Sequence, residues 1–443
     1  MSKFYLDAFL LNFVFIMKYD TILLERSDIM PPARVHEAIA KKINKTYNYD
    51  EKLLRIGTIA PDCWRNVPKE AGIKDKYLSH FWDFRIKSGQ ANDYENFYLK
   101  YYKEINNPFY FGYLVHLMVD QYWKTFIEQK YEKKIDGNNY VILKDGTLLK
   151  DENYFSYFEE VKMQQRLANK YNLDYLPINK DDYQNFACQI DEVNLNGLFN
   201  VGGSLDYVNK NLRQNEKVAE SVVYDDKSIE EALEETAVFV KKELIRLEKI
   251  KKEYDTKIKI AVDIDDTILS TKELEKYYWQ IFLHEHNEID TKKKYQWGDK
   301  ELSLFWQEYR EKMAYGKVKD NVSLAFKELK NKGYIVDLLS ARPLDKYASL
   351  NQNLMEYFEK NNLIYDHIHL GFYSKVAFLE KHNYDILIDN ELRHILAAQG
   401  RGISTILFGP FDPNYEGIQT DDWVKIPVLI MQIIEEKTKK KSL

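Results

Sequence analysis

Two aspartates on one short run, a serine, a lysine and a distant third aspartate form the first constellation with chemistry in it. Asp263-Ile264-Asp265-Asp266-Thr267 closes the aliphatic stretch 258–264. Residues two apart on a strand share a face, so Asp263 and Asp265 can look into one crevice as the chain turns. One carboxylate of such a pair can attack phosphorus while the other gives a proton to the leaving oxygen. The pair also offers hard oxygen ligands to Mg2+, which quenches repulsion between carboxylates and phosphate. Ser340, after the run 334–339, can bind a phosphoryl oxygen. Lys375 supplies a cation for the phosphate and the nucleophile. Asp389, after Asp385-Ile386-Leu387-Ile388, completes a metal shell, and Arg342 is a further candidate for a substrate contact. The competing reading is that the acidic run only caps a strand-to-helix turn, where Asp and Thr are favoured.

A second constellation lies in the first half: His36, Asp62, His80, His116 and Asp120. His116 and Asp120 are four apart, so both project from one face of a helix. Imidazole nitrogen with carboxylate oxygen is a good donor set for Zn2+. The chain has nine histidines, and the three before residue 280 all belong to this set. The competing reading makes each a hydrogen-bonded histidine inside a helical bundle.

These side chains need elements to hold them. A chain of 443 residues is long for one core, which favours two domains. From residue 32 to about 199 the pattern is helical, with apolar residues three and four apart over 35–47 and 110–131 and a helix start at Asn106-Asn107-Pro108. Residues 228–253 read as one charged helix that links the halves or packs against one of them. Short aliphatic runs at 258–264, 334–339, 367–370, 386–388 and 404–408 then alternate with amphipathic helices. Such alternation predicts a parallel sheet covered by helices, with its ligand site at the carboxyl ends of the strands. The expected layout is an extension at 1–29, a helical domain at 30–210, a helical linker at 211–256 and an α/β domain at 257–443. A helical, aromatic-rich insert falls at about 270–322. Its Tyr277, Tyr278, Trp279, Trp297, Phe305 and Trp306 either stack on a nucleobase or form the insert's own core.

The elements around Asp263, Ser340, Lys375 and Asp389 resemble, in order and spacing, the four motifs of the haloacid dehalogenase superfamily over about residues 257–430. Leu339-Ser340-Ala341-Arg342-Pro343 and Tyr365-Asp366-His367-Ile368-His369 resemble its 5′(3′)-deoxyribonucleotidase type. The resemblance implies a Rossmann-like α/β domain with a small helical cap. It implies that Asp263 forms an aspartyl-phosphate and that Asp265 is the general acid, then the base. Asp263, the carbonyl of Asp265 and Asp389 would hold Mg2+, and Ser340 and Lys375 would bind phosphate. One departure is that the fourth motif usually carries two acidic residues, whereas Asp389 stands between Ile388 and Asn390.

The segments Met30-Pro31-Pro32-Ala33-Arg34-Val35-His36, Gly57-Thr58-Ile59-Ala60-Pro61-Asp62, Ser79-His80-Phe81 and Gly112-Tyr113-Leu114-Val115-His116-Leu117-Met118-Val119-Asp120 resemble the zinc-dependent phospholipase C family, over about residues 30–200. That resemblance implies an all-α metal-binding bundle in which Asp62, His80, His116 and Asp120 form one site. His36 would serve a neighbouring metal that shares Asp120. The secreted enzymes of that family have an N-terminal Trp ligand and a further His, His and Glu set. Here no histidine follows His116 until His284.

Composition bounds the rest. Net charge is −6, and Lys and Arg are interspersed with Asp and Glu, so no basic stripe marks a nucleic-acid partner. Two cysteines make no disulfide framework, which suits a reducing, cytoplasmic setting. The apolar stretch 9–17 is too short to span a bilayer, so no stable membrane anchoring is expected. Glu25-Arg26-Ser27-Asp28-Ile29 before Met30 can be encoded by a purine-rich ribosome-binding sequence, which suggests translation starting at Met30. The expected function is a Mg2+-dependent phosphohydrolase acting on a small phosphomonoester such as a nucleoside monophosphate, fused to a zinc phosphodiesterase-like domain. Two alternatives stand beside it: the first domain is a metal-stabilised binding module without catalysis, or the whole chain is a ligand sensor with a degenerate site.

Overall fold

The computed structural model describes residues 32–66, 76–83, 92–152, 155–173, 190–193, 220–287, 289–290, 293, 299–343, 350–372 and 374–441. The extension at 1–29 and Trp297 lie outside the described residues.

Helices open the first half: α1 (Ala33–Tyr47), α2 (Glu51–Ile59), the short α3 (Lys76–Ser79), α4 (Tyr94–Lys100) and the long α5 (Pro108–Tyr131). Asn107 caps α5 by accepting from the Phe109 amide at 2.9 Å, with Pro108 in the first turn, where its missing N–H costs nothing. Helices α2 and α5 cross so closely that a Cβ on Gly57 would run into the Phe109 carbonyl, and one on Gly112 into the Leu54 carbonyl. The first half is not all helical, contrary to expectation. β1 (Glu132–Ile135), β2 (Asn138–Ile142) and β3 (Leu148–Lys150) form an antiparallel sheet in that order. Its first turn is Asp136-Gly137, both at positive φ, the pair a two-residue hairpin turn demands. Helix α6 (Phe155–Tyr171) follows.

Helix α7 (Asp226–Thr256) is capped by Asp225 and buries Ile229, Ala232, Leu233, Thr236, Ala237, Val240, Leu244 and Leu247 on one stripe. Its apolar stripe down to Leu247 belongs to the core of the first half; one turn from its end Tyr254 meets Leu99 and Ile335.

The second half is an α/β domain whose parallel sheet has the order β11-β10-β9-β4-β7-β8. The strands are β4 (Lys259–Val262), β7 (Ile335–Leu339), β8 (Ile368–His369), β9 (Ile386–Asp389), β10 (Ser404–Phe408) and β11 (Gln419–Thr420). Ile260, Val262, Val336, Leu338, Ile386, Ile388 and Ile406 face one layer, and Ala261, Leu339, Leu387 and Leu407 the other, so the strands are apolar on both faces. From β4 the chain builds β7 and β8 to one side, then returns to build β9, β10 and β11 on the other. That reversal leaves a crevice at the carboxyl ends beside β4.

The pair β5 (Leu269–Ser270) and β6 (Lys317–Val318) brackets a helical hairpin, α8 (Thr271–Glu285) and α9 (Lys300–Met313). Phe282, Phe305, Tyr309 and Met313 form its core, with Tyr278, Trp279 and Trp306 packed on them; Tyr277 is exposed. Most of the aromatic residues expected in the insert therefore pack on one another. Helices α10 (Val322–Asn331), α11 (Leu350–Lys360), α12 (Lys375–Lys381), α13 (Leu392–Gln399) and α14 (Ile426–Lys441) cover the sheet. Leu78, from the first half, is buried in the core of the second. No helix among the described residues is long and apolar enough to cross a membrane.

Candidate active site and metal centre

Asp263 leaves β4 with its amide donating to the Ile388 carbonyl at 2.9 Å, which fixes it beside β9. Its Oδ1 receives the Lys375 ammonium from the start of α12, and its Oδ2 the Thr267 hydroxyl at 2.9 Å. The same ammonium reaches Asp389 Oδ2 at 2.7 Å, so Lys375 ties the ends of β4 and β9 together while almost wholly buried. Trp423 Nε1 donates to the Thr267 carbonyl at 3.1 Å and holds this turn from behind. Asp266 takes the left-handed conformation and accepts the amides of Thr271 and Lys272, so the third acid of the run caps α8.

Ser340 and Arg342 come from the end of β7. The Ser340 amide donates to the His369 carbonyl at 2.9 Å, and the Arg342 amide to Ser340 Oγ at 3.2 Å. Arg342, expected at the phosphate, instead grips Asp265 in a two-pronged pair, Nε to Oδ2 at 2.9 Å and Nη2 to Oδ1 at 2.7 Å. It is buried, whereas the Asp265 side chain is 40% exposed and forms the open wall of the pair.

Sequence reasoning missed His394. It lies on α13, five residues after Asp389, and its Nδ1 meets Asp389 Oδ2 at 3.0 Å, while Oδ1 accepts the Glu391 amide at 2.8 Å. A nitrogen thus stands beside Asp389 where a second acid was expected. The signal was available, since one of the chain's nine histidines stands five residues after Asp389.

Three carboxylates, Asp263, Asp265 and Asp389, face two cations, Lys375 and Arg342, among the described residues. Burial lifts the Asp263 carboxyl above its ordinary range; Lys375 opposes this, while Asp389 and Asp265 add to it. Asp265 is held low by Arg342 against the upward push of burial. The uncompensated negative charge and the hard oxygen donors suit a divalent cation such as Mg2+.

In the first half, His36, Asp62, His80, His116 and Asp120 come together, all buried. His116 Nδ1 lies 2.7 Å from the Thr58 carbonyl, reached because Gly57 and Gly112 let the helices touch. His80 Nδ1 lies 3.0 Å from the Lys76 carbonyl. A carbonyl only accepts, so His116 carries its proton on Nδ1 and presents a lone pair at Nε2; His80 does the same when its Nδ1 donates to Lys76 rather than accepting from the Ser79 hydroxyl 2.9 Å away. Those two Nε2 atoms are 3.2 Å apart, with Asp120 Oδ2 at 3.3 Å from His116 and 3.5 Å from His80, and Asp62 Oδ1 at 3.7 Å from His80. Bonds of about 2.0–2.1 Å at tetrahedral angles set ligands ~3.3 Å apart, so His80, His116 and Asp120 stand at the spacing of Zn2+ ligands, with Asp62 a looser neighbour of the two imidazoles. His36 Nε2 is 3.3 Å from Asp120 Oδ1, its ring stacked on His116 at 3.9 Å, and neither of its nitrogens makes a well-formed hydrogen bond among the described residues.

Burial pulls His36 below its ordinary value and His80 down to about 3, so both stay neutral and able to bind metal. Burial alone would also lower His116, but Asp120 beside it leaves that ring raised.

A third group, Asp337, His367 and His369, has another explanation. Asp337 Oδ1 accepts from His367 N at 2.9 Å and from its Nδ1 at 3.0 Å, and Oδ2 from Tyr254 at 2.9 Å and Tyr384 at 2.5 Å. Its lone pairs are spoken for by donors, so it is a hydrogen-bonded buried acid.

No family model matches the chain, and no curated protein is matched by its sequence. Among solved structures, the chain is similar to a haloacid dehalogenase-like family hydrolase from Xanthomonas campestris, at 12% identity and TM-score 0.33, covering 42% of this chain and 94% of that one. It is similar to a haloacid dehalogenase-type hydrolase from Bacillus subtilis, solved with magnesium bound, at 14% identity and TM-score 0.31, covering 39% and 98%. It is also similar to CbbY from Rhodobacter sphaeroides, solved with xylulose 1,5-bisphosphate, at 12% identity and TM-score 0.30, covering 38% and 95%. Likeness at this level decides nothing about activity, and the chemistry rests on the residues themselves.

Proposed function

We propose that the second half is a Mg2+-dependent phosphohydrolase of the haloacid dehalogenase type, acting on a small phosphomonoester. The observation that carries this is Lys375 bridging Asp263 and Asp389 while Asp265 and Ser340 stand at the adjoining strand ends. An Asp263 oxygen attacks phosphorus and the bond to the leaving oxygen breaks, with Asp265 giving that oxygen a proton once it has left the Arg342 fork and taken one up from solvent. Water then attacks the aspartyl-phosphate, Asp265 takes its proton, and phosphate leaves with Asp263 restored. Ser340 and Lys375 hold phosphoryl oxygens, and Arg342 positions Asp265. Asp263, Asp389 and the Asp265 carbonyl would hold Mg2+, which draws charge from the phosphoryl oxygens. His394 steadies Asp389 in the absence of a second acid.

The test is phosphate release from an aryl phosphate with Mg2+. Turnover by wild type and none by Asp263→Asn supports the reading. Equal release by both sinks it, and none by either favours a ligand sensor. A panel of nucleoside monophosphates, sugar phosphates and phosphorylated head-groups then asks whether nucleotides are preferred, as the nucleotidase-like motifs suggest.

For the first half, the reading is a zinc centre held by Asp62, His80, His116 and Asp120. The complete burial of its three histidines favours a metal-stabilised module over a diesterase, because catalytic zinc keeps a position open to substrate. Zinc bound by the intact chain, with no diester cleavage lost in His116→Ala, supports the module. Diester turnover that His116→Ala abolishes would restore the two-step scheme, in which one half cleaves a diester and the other dephosphorylates the product.

A further inference from the structure

Residues 76–83 belong to both halves at once. His80 closes α3 and joins the metal-ligand set, while Leu78, two residues earlier, is 3% exposed and buried in the core of the second half. The segment is tightly knotted: His80 N donates to Lys76 O at 2.9 Å, Phe81 N to Leu78 O at 3.0 Å and Trp82 N to Tyr77 O at 2.9 Å. Tyr113 on α5, one turn before His116, donates its hydroxyl to the Ser79 carbonyl. Phe81 holds φ at 52°, a left-handed conformation that costs an aromatic residue on the order of 1–3 kcal/mol and persists only where surroundings enforce it.

Across the seam, α3 packs on α11, and a cleft lined by Leu78, Phe81 and Trp82 on one side has Met355, Ile368 and Leu370 on the other. Ile368 and His369 are β8, the edge strand paired with β7 through Leu338↔Ile368 and Leu339↔His369. The His369 carbonyl receives the Ser340 amide at 2.9 Å. A contiguous path therefore runs from a metal-ligating imidazole, through Leu78 and β8, to the backbone of the phosphate-binding turn.

We propose that cation binding at Asp62, His80, His116 and Asp120 and phosphate binding at the Ser340 turn are reciprocally coupled through residues 76–83 and β8, each tightening the other. This rests on the metal-centre and phosphohydrolase readings above. A cation that draws the two Nε2 lone pairs together fixes His80 and with it the knot. A fixed knot holds Leu78 against the α11–β8 wall, so a phosphate reaching Ser340 has less ordering left to impose. Linkage requires both affinities to change by one factor.

The test uses the full chain with saturating Mg2+. Zinc affinity is measured by competition with a chromophoric chelator, with and without inorganic phosphate. Phosphate affinity is measured by calorimetry on zinc-loaded and zinc-stripped chain, and amide exchange is followed at residues 368–370 and 340. The expected result is about a tenfold tightening of each ligand by the other, within the usual range for coupled sites, and slower exchange at those amides when zinc is bound. Leu78→Ala, or the milder Leu78→Met should alanine fail to fold, keeps both ligands binding while the factor falls toward one. Zinc and phosphate that both bind, with affinities the other leaves within twofold, would overturn the coupling alone. A chain that takes up no zinc would overturn the metal-centre reading beneath it, and one that binds no phosphate with Mg2+ would overturn the phosphohydrolase reading.

Discussion

The two candidate centres handle buried charge in opposite ways. In the first half two imidazoles converge with Asp120, and among the described residues no Lys or Arg pairs with that carboxylate. In the second, Lys375 and Arg342 neutralise most of the negative charge from within. On the readings proposed above, the first arrangement would need an outside cation to hold its shape, whereas the second would keep its shape without one and use the cation to react.

The largest effect that would break this contrast is on turnover. Asp263→Asn should lower phosphate release by at least about a thousandfold while leaving the melting temperature within a few degrees, because on the proposed reading the lost group is the nucleophile. A large loss of thermal stability would mean that the second centre is structural as well. Next comes metal removal. Stripping zinc should expose the amides of α1, α2 and α5 to hydrogen exchange, whereas withdrawing Mg2+ should stop turnover with little change in exchange. Exchange unaltered by zinc removal would place the two centres on the same footing.

Gly112→Ala should cost about 1–3 kcal/mol in denaturant unfolding and weaken zinc binding, since the new methyl meets the Leu54 carbonyl and pushes His116 off Thr58. Arg342→Lys keeps the charge and loses the fork. It should lower kcat by about tenfold, more for alkyl than for aryl phosphates, with KM nearly unchanged; a rise in KM alone would return Arg342 to the phosphate. The smallest effect concerns the seam. Burial would lower His367, but Asp337 raises it to about 9, so its contribution is full below the unfolded value near 6.5 and fades as pH climbs through 9. Wild type should lose more melting temperature than His367→Asn between pH 6.5 and 9; parallel curves would remove the charge from that contact.

Much of this was legible because local pattern and global fold agree. The five aliphatic runs are strands, each within two residues of its expected bounds, since chemistry sits at their ends and turn residues follow. Asn107-Pro108 opens α5 where a cap and a first-turn proline should. The two-residue strands β5, β6 and β11 are too short to show a period of two. The small sheet β1–β3 was hidden among helical neighbours, although Asp136-Gly137 and Asp145-Gly146 announce hairpins. The partners of the site residues were beyond reach. That Arg342 turns to Asp265 and His394 to Asp389 depends on where β7 and α13 lie in space, which spacing along the chain does not encode.

Trp423, which braces the turn behind Asp263, stands 160 positions after it. A ribosome therefore has to deliver residue 423 before that turn acquires its brace, by which point the segments carrying His36, His80 and His116 have long been made. On the reading proposed above, chains released early would carry the histidine cluster's residues and an unbraced nucleophile, so catalysis would come later in synthesis than the cluster.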